Sequence, residues 1–267
     1  MLNREYRREL LRKYARSPED DALLARVLDK VDLWQRDGRM QYTRFFSERD
    51  KLCCVPLLKE ARVEEAFFWG GYPDAERTVL VFPADWQDPE SMIHGEESPV
   101  AVLRAVWKSG EALSHRDFLG ALMGLGIERE LVGDILPGEG QCDILLTKEI
   151  LPYVLQNLTS AGSAALQLST VNEPEVGEAR YRLIKDTVAS LRLDAVVGSG
   201  FSLSRDKASA AIKSGKVSLN GMECLKPDRA VEPGARISLR GLGKIELTET
   251  GGLSRKGRTA IVIKRFL

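Results

Sequence analysis

The chain has 267 residues, enough for two or three domains that each carry a hydrophobic core. It contains 39 Lys and Arg and 39 Asp and Glu, so its overall charge favours no class of partner. The sequence has no long apolar run and no Lys-rich amphipathic helix with an aromatic face. This composition argues against a membrane-spanning or membrane-bound segment, and we predict no membrane partner.

The charges are distributed unevenly along the chain. Residues 180–267 hold 18 of the 39 basic residues but only 8 of the 39 acidic ones, so residues 1–179 carry the matching negative excess. Lys and Arg displace the counterions that condense on phosphates, so a basic C-terminal segment points to a polyanionic partner. The charged N-terminal stretch lacks the apolar run of a signal peptide, which predicts a cytoplasmic protein.

The cysteines predict reduced thiols rather than a metal or disulfide site. Cys53 and Cys54 are adjacent, and Cys142 and Cys224 are isolated, so no pair has the spacing of zinc ligands. We therefore expect buried thiols, no metal and no cofactor.

Residues 1–62 are predicted to be helical. A Ser-Pro-Glu-Asp run at 17–20 is typical of a helix start, and an apolar stripe then continues to about residue 35. A further helix near 47–52 is expected to end before Pro56, because proline disfavours helical backbone in the residue before it.

Residues 63–172 are predicted to form an α+β domain of the ferredoxin or RNA-recognition type. Ser114 and Asp117 form a capping-box pattern at the start of one of its helices. Strands that carry two helices on one face give this two-layer fold. The polar stretch at 172–179 contains Pro and Gly and predicts a linker. The predicted strands are 66–73, 77–84, 100–108, 141–147 and 163–171, and the predicted helices are 114–127 and 148–158.

Aromatic side chains in these strands raise an RNA-binding hypothesis for the middle domain, because RNA-recognition sheets stack bases on exposed rings. The usual basic-aromatic signature is absent, however, and this half of the chain is acidic. We therefore interpret most of the rings as core residues. The rings concerned are Phe67, Phe68, Trp69, Phe82 and Trp107.

Residues 180–267 are predicted to begin with a basic amphipathic helix over 180–200. Ser204 and Arg205 then open a short helix that Gly215 ends, and Asn220-Gly221 is the two-residue turn of a β-hairpin. The start of the short helix combines free backbone N–H groups, the positive end of the helix dipole and an arginine, which predicts a phosphate site.

Further cations follow this helix start. Lys207 and Lys213 lie in the short helix, and Lys216 lies at its exit. Arg240 and Lys244 flank a Gly-Leu-Gly bend, where glycine allows a backbone to approach closely.

The order of these signals resembles the S4-type RNA-binding domain over residues 192–247. It runs from Arg-Leu-Asp through Ser-Arg and Gly-x-Val-x-x-Asn-Gly to Pro-Gly and Arg-Gly. Ala235 departs from it, since many such domains carry Asp after Pro-Gly. Arg205 is the strongest RNA-binding candidate. Asn220 is interpreted as a residue that forms the turn rather than as one that contacts RNA. The candidates that the motif implies are Ser204, Arg205, Lys207, Lys213, Lys216, Asn220, Arg240 and Lys244.

The segment SHRDFLGALMGLGIERELVGDI at 114–135 is similar to the hallmark of the YlmH family of bacterial RNA-binding proteins. That family joins a helical N-terminal region, an RNA-recognition-like domain and an S4-type domain, which here implies 1–62, 63–172 and 180–267. The resemblance implies binding of structured RNA on the ribosome in translation or rescue of stalled ribosomes. The expected partner is rRNA of the large subunit, with tRNA as a second RNA, and a cell-division link is also attached to the family.

Two other function classes stay open. S4-type domains also dock pseudouridine synthases and RNA methyltransferases on RNA, and such an enzyme needs a catalytic domain upstream. Neither His94 nor His115 can be paired with a nucleophile, and no phosphate loop or complete dinucleotide motif occurs, so we favour binding without catalysis. The third class is a cell-division interaction protein whose acidic half binds a basic partner, and nothing in the sequence specifies a protein partner.

Overall fold

The computed structural model describes residues 2–108, 112–177, 181–253 and 257–266. The chain forms two compact units, Met1–Gly177 and Glu178–Leu267. Their helices and sheets confirm the predicted α+β class. Within the described ranges, no helix is long and apolar enough to cross a membrane.

Three helices open the first unit: α1 (Arg4–Tyr14), α2 (Pro18–Asp37) and α3 (Glu48–Glu60). The Ser17 side chain caps α2 by accepting a hydrogen bond from the backbone N–H of Asp20. Each helix turns its apolar residues towards one shared core. That core includes Leu10, Leu24, Val27, Leu28, Val31, Cys54 and Leu57.

The predicted end of α3 before Pro56 is wrong, because the helix continues through the proline to Glu60. An interior proline removes one backbone N–H and costs about 3 kcal/mol. Leu57 and Leu58 are buried directly after it. Burying a large apolar side chain contributes roughly 2 kcal/mol, so these two residues offset the penalty.

A three-stranded antiparallel sheet follows, with β1 (Gln41–Tyr42), β2 (Phe67–Trp69) and β3 (Val79–Phe82) in the order β1-β3-β2. Two strands expected in the middle domain, β2 and β3, thus form a separate sheet with β1 instead of joining the larger sheet. The reason is that β3 is buried on both faces. Its Leu80 and Phe82 pack on the helical core, and its Val79 and Val81 pack in a separate cluster on the other side.

The rest of the unit has the β-α-β-β-α-β order of the predicted ferredoxin-like fold. After α4 (Pro89–His94), two helices, α5 and α6, pack on one face of an antiparallel sheet with strand order β5-β6-β4-β9. The sequence does not predict the strand β5. A bulge between Val132 and Ile135 interrupts its alternation of apolar and polar residues. The bounds are β4 (Val100–Val106), α5 (His115–Gly124), β5 (Val132–Pro137), β6 (Gln141–Thr147), α6 (Leu151–Asn157), β7 (Ser160–Ala161), β8 (Ala164–Ala165) and β9 (Gln167–Val171), with 3-10 turns at Arg129–Leu131 and Lys148–Ile150.

The other face of the four-stranded sheet is covered in part. Val100 and Leu145 of that face pack in one cluster with Phe45 and with the two valines of β3. The predicted strand rings belong to the cores, as expected. Phe82 and Trp107 are buried, and Phe67, Phe68 and Trp69 are partly buried against the same clusters.

The second unit is a six-stranded antiparallel sheet that carries two helices. The strand order is β10-β15-β14-β13-β11-β12. Apolar residues of α7 and α8 pack with those of the sheet in a single core. The bounds are β10 (Tyr181–Val188), α7 (Leu193–Phe201), α8 (Arg205–Lys213), β11 (Val217–Leu219), β12 (Met222–Glu223), β13 (Arg236–Leu239), β14 (Gly243–Leu253) and β15 (Thr259–Phe266).

The basic helix predicted over 180–200 is wrong in its first half, where the chain forms β10. All eight residues of β10 pair with β15, from Tyr181 opposite Phe266 to Val188 opposite Thr259. The partner strand lies some eighty residues further along the chain, so no local period reveals the pairing. The helix begins only at Leu193.

The close approach of α7 to β14 generates a stability prediction. A Cβ on Gly200 would lie 2.5 Å from the Cδ1 atom of the buried Ile245. We expect Gly200→Val to lower the free energy of unfolding by about 2 kcal/mol or more through overpacking. The matched control is Gly120→Val in α5, where a Cβ has no neighbour within 4 Å and a change under about 0.5 kcal/mol is expected. Urea unfolding followed by circular dichroism measures both, and equal effects would contradict the packing argument.

Candidate nucleic-acid interface

The start of α8 is built as the sequence predicts. Ser204 is the N-cap, and its Oγ accepts a hydrogen bond from the backbone N–H of Lys207 at 3.4 Å. Arg205 is the first helical residue, and its side chain is 66% exposed. The helix therefore presents two cations beside its positive dipole end.

Arg205 is also tied to a buried carboxylate that sequence reasoning missed. Its Nε donates to Asp194 at 3.3 Å, and Arg192 donates to both oxygens of the same carboxylate at 3.1 and 3.0 Å. Asp194 is 3% exposed and lies in the first turn of α7. Its backbone N–H donates to the carbonyl of Pro227 at 2.9 Å. Arg192, Asp194 and Arg205 thus form a clamp, as we call this ion-pair cluster, between the starts of the two helices. The first two residues belong to the Arg-Leu-Asp motif of the sequence.

The charge state of this clamp follows from its contacts. Burial by itself would raise the pKa of Asp194, but the hydrogen bonds from Arg192 and Arg205 outweigh burial and hold the pKa below its usual range. The ionised carboxylate orients the Arg205 guanidinium. Within the described residues only Nε of that group is engaged, so both terminal nitrogens can contact a ligand.

A second pair of cations lies where α8 ends. The backbone N–H of Arg240 donates to the carbonyl of Lys216 at 2.9 Å, and both side chains are exposed. Lys244 lies on the neighbouring strand β14, where it is opposite Ser238 of β13. Helical periodicity separates Lys207 from Lys213 by about 120° around α8, so the fold does not bring these two lysines together.

Asn220 serves the turn that it was expected to form. It has φ +50°, and Gly221 has φ +77°, which are the left-handed values of a type I′ hairpin turn. The Asn220 Oδ1 accepts from the backbone N–H of Arg236 at 2.8 Å, and its own N–H donates to the Arg236 carbonyl at 2.7 Å. These contacts pin the β11–β12 turn to the start of β13.

The cysteines and histidines of the chain are not among the candidate RNA-binding residues. Cys54 and Cys142 are buried as expected, whereas Cys53 and Cys224 are only partly buried. His115 is the first residue of α5, and partial burial together with the charge of Arg129 lowers its pKa. The side chain of His94 lies outside the described residues.

Comparison with known proteins first defines a class. The model of the S4 domain matches residues 191–237, which span α7, α8 and the β11–β12 hairpin. A second family model, described as "Putative RNA-binding domain in YlmH", matches residues 108–175. The C-terminal unit thus contains an S4 domain, and the chain combines it with the YlmH-type middle domain.

The particular family follows from a relative that spans almost the whole chain. The chain is 31% identical over 256 residues to "Ribosome-associated protein quality control protein P2" of Bacillus subtilis (strain 168). The aligned residues cover 92% of this chain and 95% of that protein. The chain belongs to the YlmH family, as its sequence predicted. Among solved structures, "Cell division protein ylmH from Streptococcus pneumoniae" is similar with a TM-score of 0.47 and 19% identity, over 58% of this chain and 92% of that one.

The clamp at Asp194 generates a prediction for stability and its pH dependence. We expect Asp194→Asn to lower the free energy of unfolding at pH 7 by about 2 kcal/mol, because charge-assisted hydrogen bonds are lost from a buried site. The folded-state pKa of Asp194 is depressed, so its contribution is present above the unfolded-state pKa and disappears as pH falls through the folded-state value. The difference between the two proteins should therefore shrink below about pH 4.

Urea unfolding of both proteins at pH 7 and at pH 3 measures this difference. Glu232→Gln, at an exposed position of the same unit, is the control and should leave stability unchanged. A difference between wild type and Asp194→Asn that stayed constant across this pH range would contradict the ion-pair account.

Proposed function

We propose that this protein binds folded RNA of the large ribosomal subunit through its S4 domain, with tRNA as a second RNA ligand, and acts without catalysis. The observation that carries the proposal is the exposed set of cations within and beside the S4 match. The name of the Bacillus subtilis relative, which describes a ribosome-associated quality-control protein, supports ribosomal RNA as the partner and quality control as the process.

The geometry supports recognition of phosphates rather than base edges. Arg205 offers a guanidinium fork that Asp194 holds in place, beside the free N–H groups at the start of α8. Lys216 and Arg240 offer two more charges from adjacent backbone positions. A-form RNA hides its base edges in a deep groove, so charge and shape are what such a surface can read. The proposed contacts are Ser204, Arg205, Lys207, Lys213, Lys216, Arg240 and Lys244, with Asn220 holding the neighbouring turn.

The structure of the middle domain supports assigning the RNA contact to the S4 domain. The sheet face on which an RNA-recognition domain stacks bases is here packed in part against β3 and Phe45. Its remaining polar residues include Arg104, which donates to both oxygens of Asp143 at 2.7 and 2.6 Å. The covered part of this face is therefore closed to RNA.

The test removes two cations whose side chains form no hydrogen bond or ion pair with the residues that the structure describes. We expect Lys216→Ala/Arg240→Ala to weaken binding to purified large subunits and to lower the slope of log K against log salt by about two, one for each phosphate contact. Affinity is measured by sedimentation through sucrose at several salt concentrations. The matched control is Lys185→Ala on β10, four strands away from β11 in the sheet.

The result also separates the alternatives. An unchanged affinity and an unchanged salt slope in the double variant would overturn the proposed surface. Association with ribosomes that resists salt would indicate a protein contact instead. Release of the protein by competing tRNA, but not by an unrelated duplex RNA, would support tRNA as the second ligand.

A further inference from the structure

The first unit contains a cleft of about 940 Å³ that the proposed RNA surface does not involve. Its walls come from α2, from β1 and the segment after it, and from the 3-10 turn at Arg129–Leu131. This volume is within the range of small-molecule sites, roughly 300–1,000 Å³. Six Lys and Arg side chains line the cleft, so the question is which of them remain available to a ligand.

Most of the arginines in the cleft are already paired with carboxylates. Arg26 lies 3.2 Å from Glu130, and Arg49 lies 2.7 Å from Asp20. Arg44 forms ion pairs with Glu128 and Glu130. These three side chains therefore contribute little net attraction for an anion.

Arg77 and Arg129 differ, because their partners are backbone carbonyls. Arg77 donates through Nε to Val132 at 3.0 Å and through Nη2 to Phe45 and Arg129 at 3.3 and 3.4 Å. Arg129 donates through Nη1 to the carbonyls of Val132 and Gly133. Among the described residues this leaves Arg77 Nη1 and Arg129 Nε and Nη2 without a partner.

The two guanidinium charges are balanced only from beyond ion-pair distance, by Asp134 for both and by two carboxylates of the cleft lining for Arg77. Neither forms an ion pair with a carboxylate of the described residues. The nearby Asp134 uses its oxygens on the Tyr72 hydroxyl at 2.8 Å and on two backbone N–H groups. Burial, and then the neighbouring charge of Arg77, lower the pKa of Arg129 to about 10. An anion in the cleft would relieve this repulsion and use the free donors.

Other lining residues supply apolar surface and one more charge. Leu23, Met40 and Tyr42 line the cleft and are partly buried. No described residue hydrogen-bonds the Tyr42 hydroxyl. Lys30 also lines the cleft and forms no ion pair with a described carboxylate. A ligand that suits this lining carries an anion and a flat, partly apolar group.

We propose that this cleft binds a phosphorylated small molecule with a planar group, of the size of a nucleoside monophosphate. Arg77 and Arg129 bind the phosphate with their free N–H groups. Lys30 adds charge at the mouth, and Tyr42 contacts the planar group. The site is separate from the cations of the S4 domain, so the proposal stands or falls independently of RNA binding.

The test is calorimetric titration of the full chain, freed of RNA at high salt, with adenosine and uridine 5′-monophosphates. Saturable binding is expected, with inorganic phosphate and free nucleosides weaker. Lys30→Glu reverses a charge without removing a protein contact and should weaken nucleotide binding about tenfold or more. Arg129→Lys keeps the charge, loses the fork and should weaken binding similarly, with circular dichroism confirming that it folds.

Two controls separate this site from other cations. Lys59→Glu changes an exposed lysine of α3 outside the cleft, and Lys216→Ala/Arg240→Ala removes cations of the S4 domain. Both should bind nucleotide as the wild type does. The proposal would be overturned if neither nucleotide showed saturable binding. It would also be overturned if Lys30→Glu bound nucleotide with the affinity of the wild type. If inorganic phosphate bound as tightly as the nucleotides, the part of the proposal that assigns a planar group to the ligand would be overturned.

Discussion

The carboxylate of Asp194 links the elements on which the S4 surface depends. It is buried, yet it is ionised, because two arginines donate to it and outweigh the cost of burial. One of those arginines begins α8, so the same contact that joins the helices also aims a guanidinium outward. A phosphate-binding arginine without such a partner would lose more side-chain entropy on binding RNA. In the proposed RNA-binding mode, Arg205 therefore serves both the structure of the domain and phosphate recognition.

The first unit is organised around a different constraint, the burial of β3 on both faces. A strand covered on both sides needs two partners, here the N-terminal helices and the ferredoxin-like sheet. This arrangement occupies part of the sheet face that RNA-recognition domains leave open. It also forms a junction at which arginine side chains donate to the carbonyls of Val132 and Gly133, next to the bulge in β5.

The features predicted from the sequence are those that local chemistry determines. Ser17, Ser114 and Ser204 mark helix starts because capping involves residues only three positions apart. Asn220-Gly221 marks a hairpin because few residues adopt left-handed backbone. The β10–β15 pairing and the separate three-stranded sheet depend on contacts between distant segments, and the helix over Pro56 depends on tertiary burial. Local pattern could not indicate these three.

The same distinction applies to the candidate site. The sequence identifies the cations, because residue type and surface position are local properties. It does not identify their partners, and the partners decide what each cation can do. Arg205 is oriented by a carboxylate eleven residues earlier, whereas Arg77 and Arg129 donate to backbone carbonyls in an arrangement that joins segments more than fifty residues apart. Lys216 and Arg240 lie side by side only through the pairing of β11 with β13. A count of charges therefore locates the basic unit, while the paired or unpaired state of each cation, which follows from the fold, determines where an anion can bind.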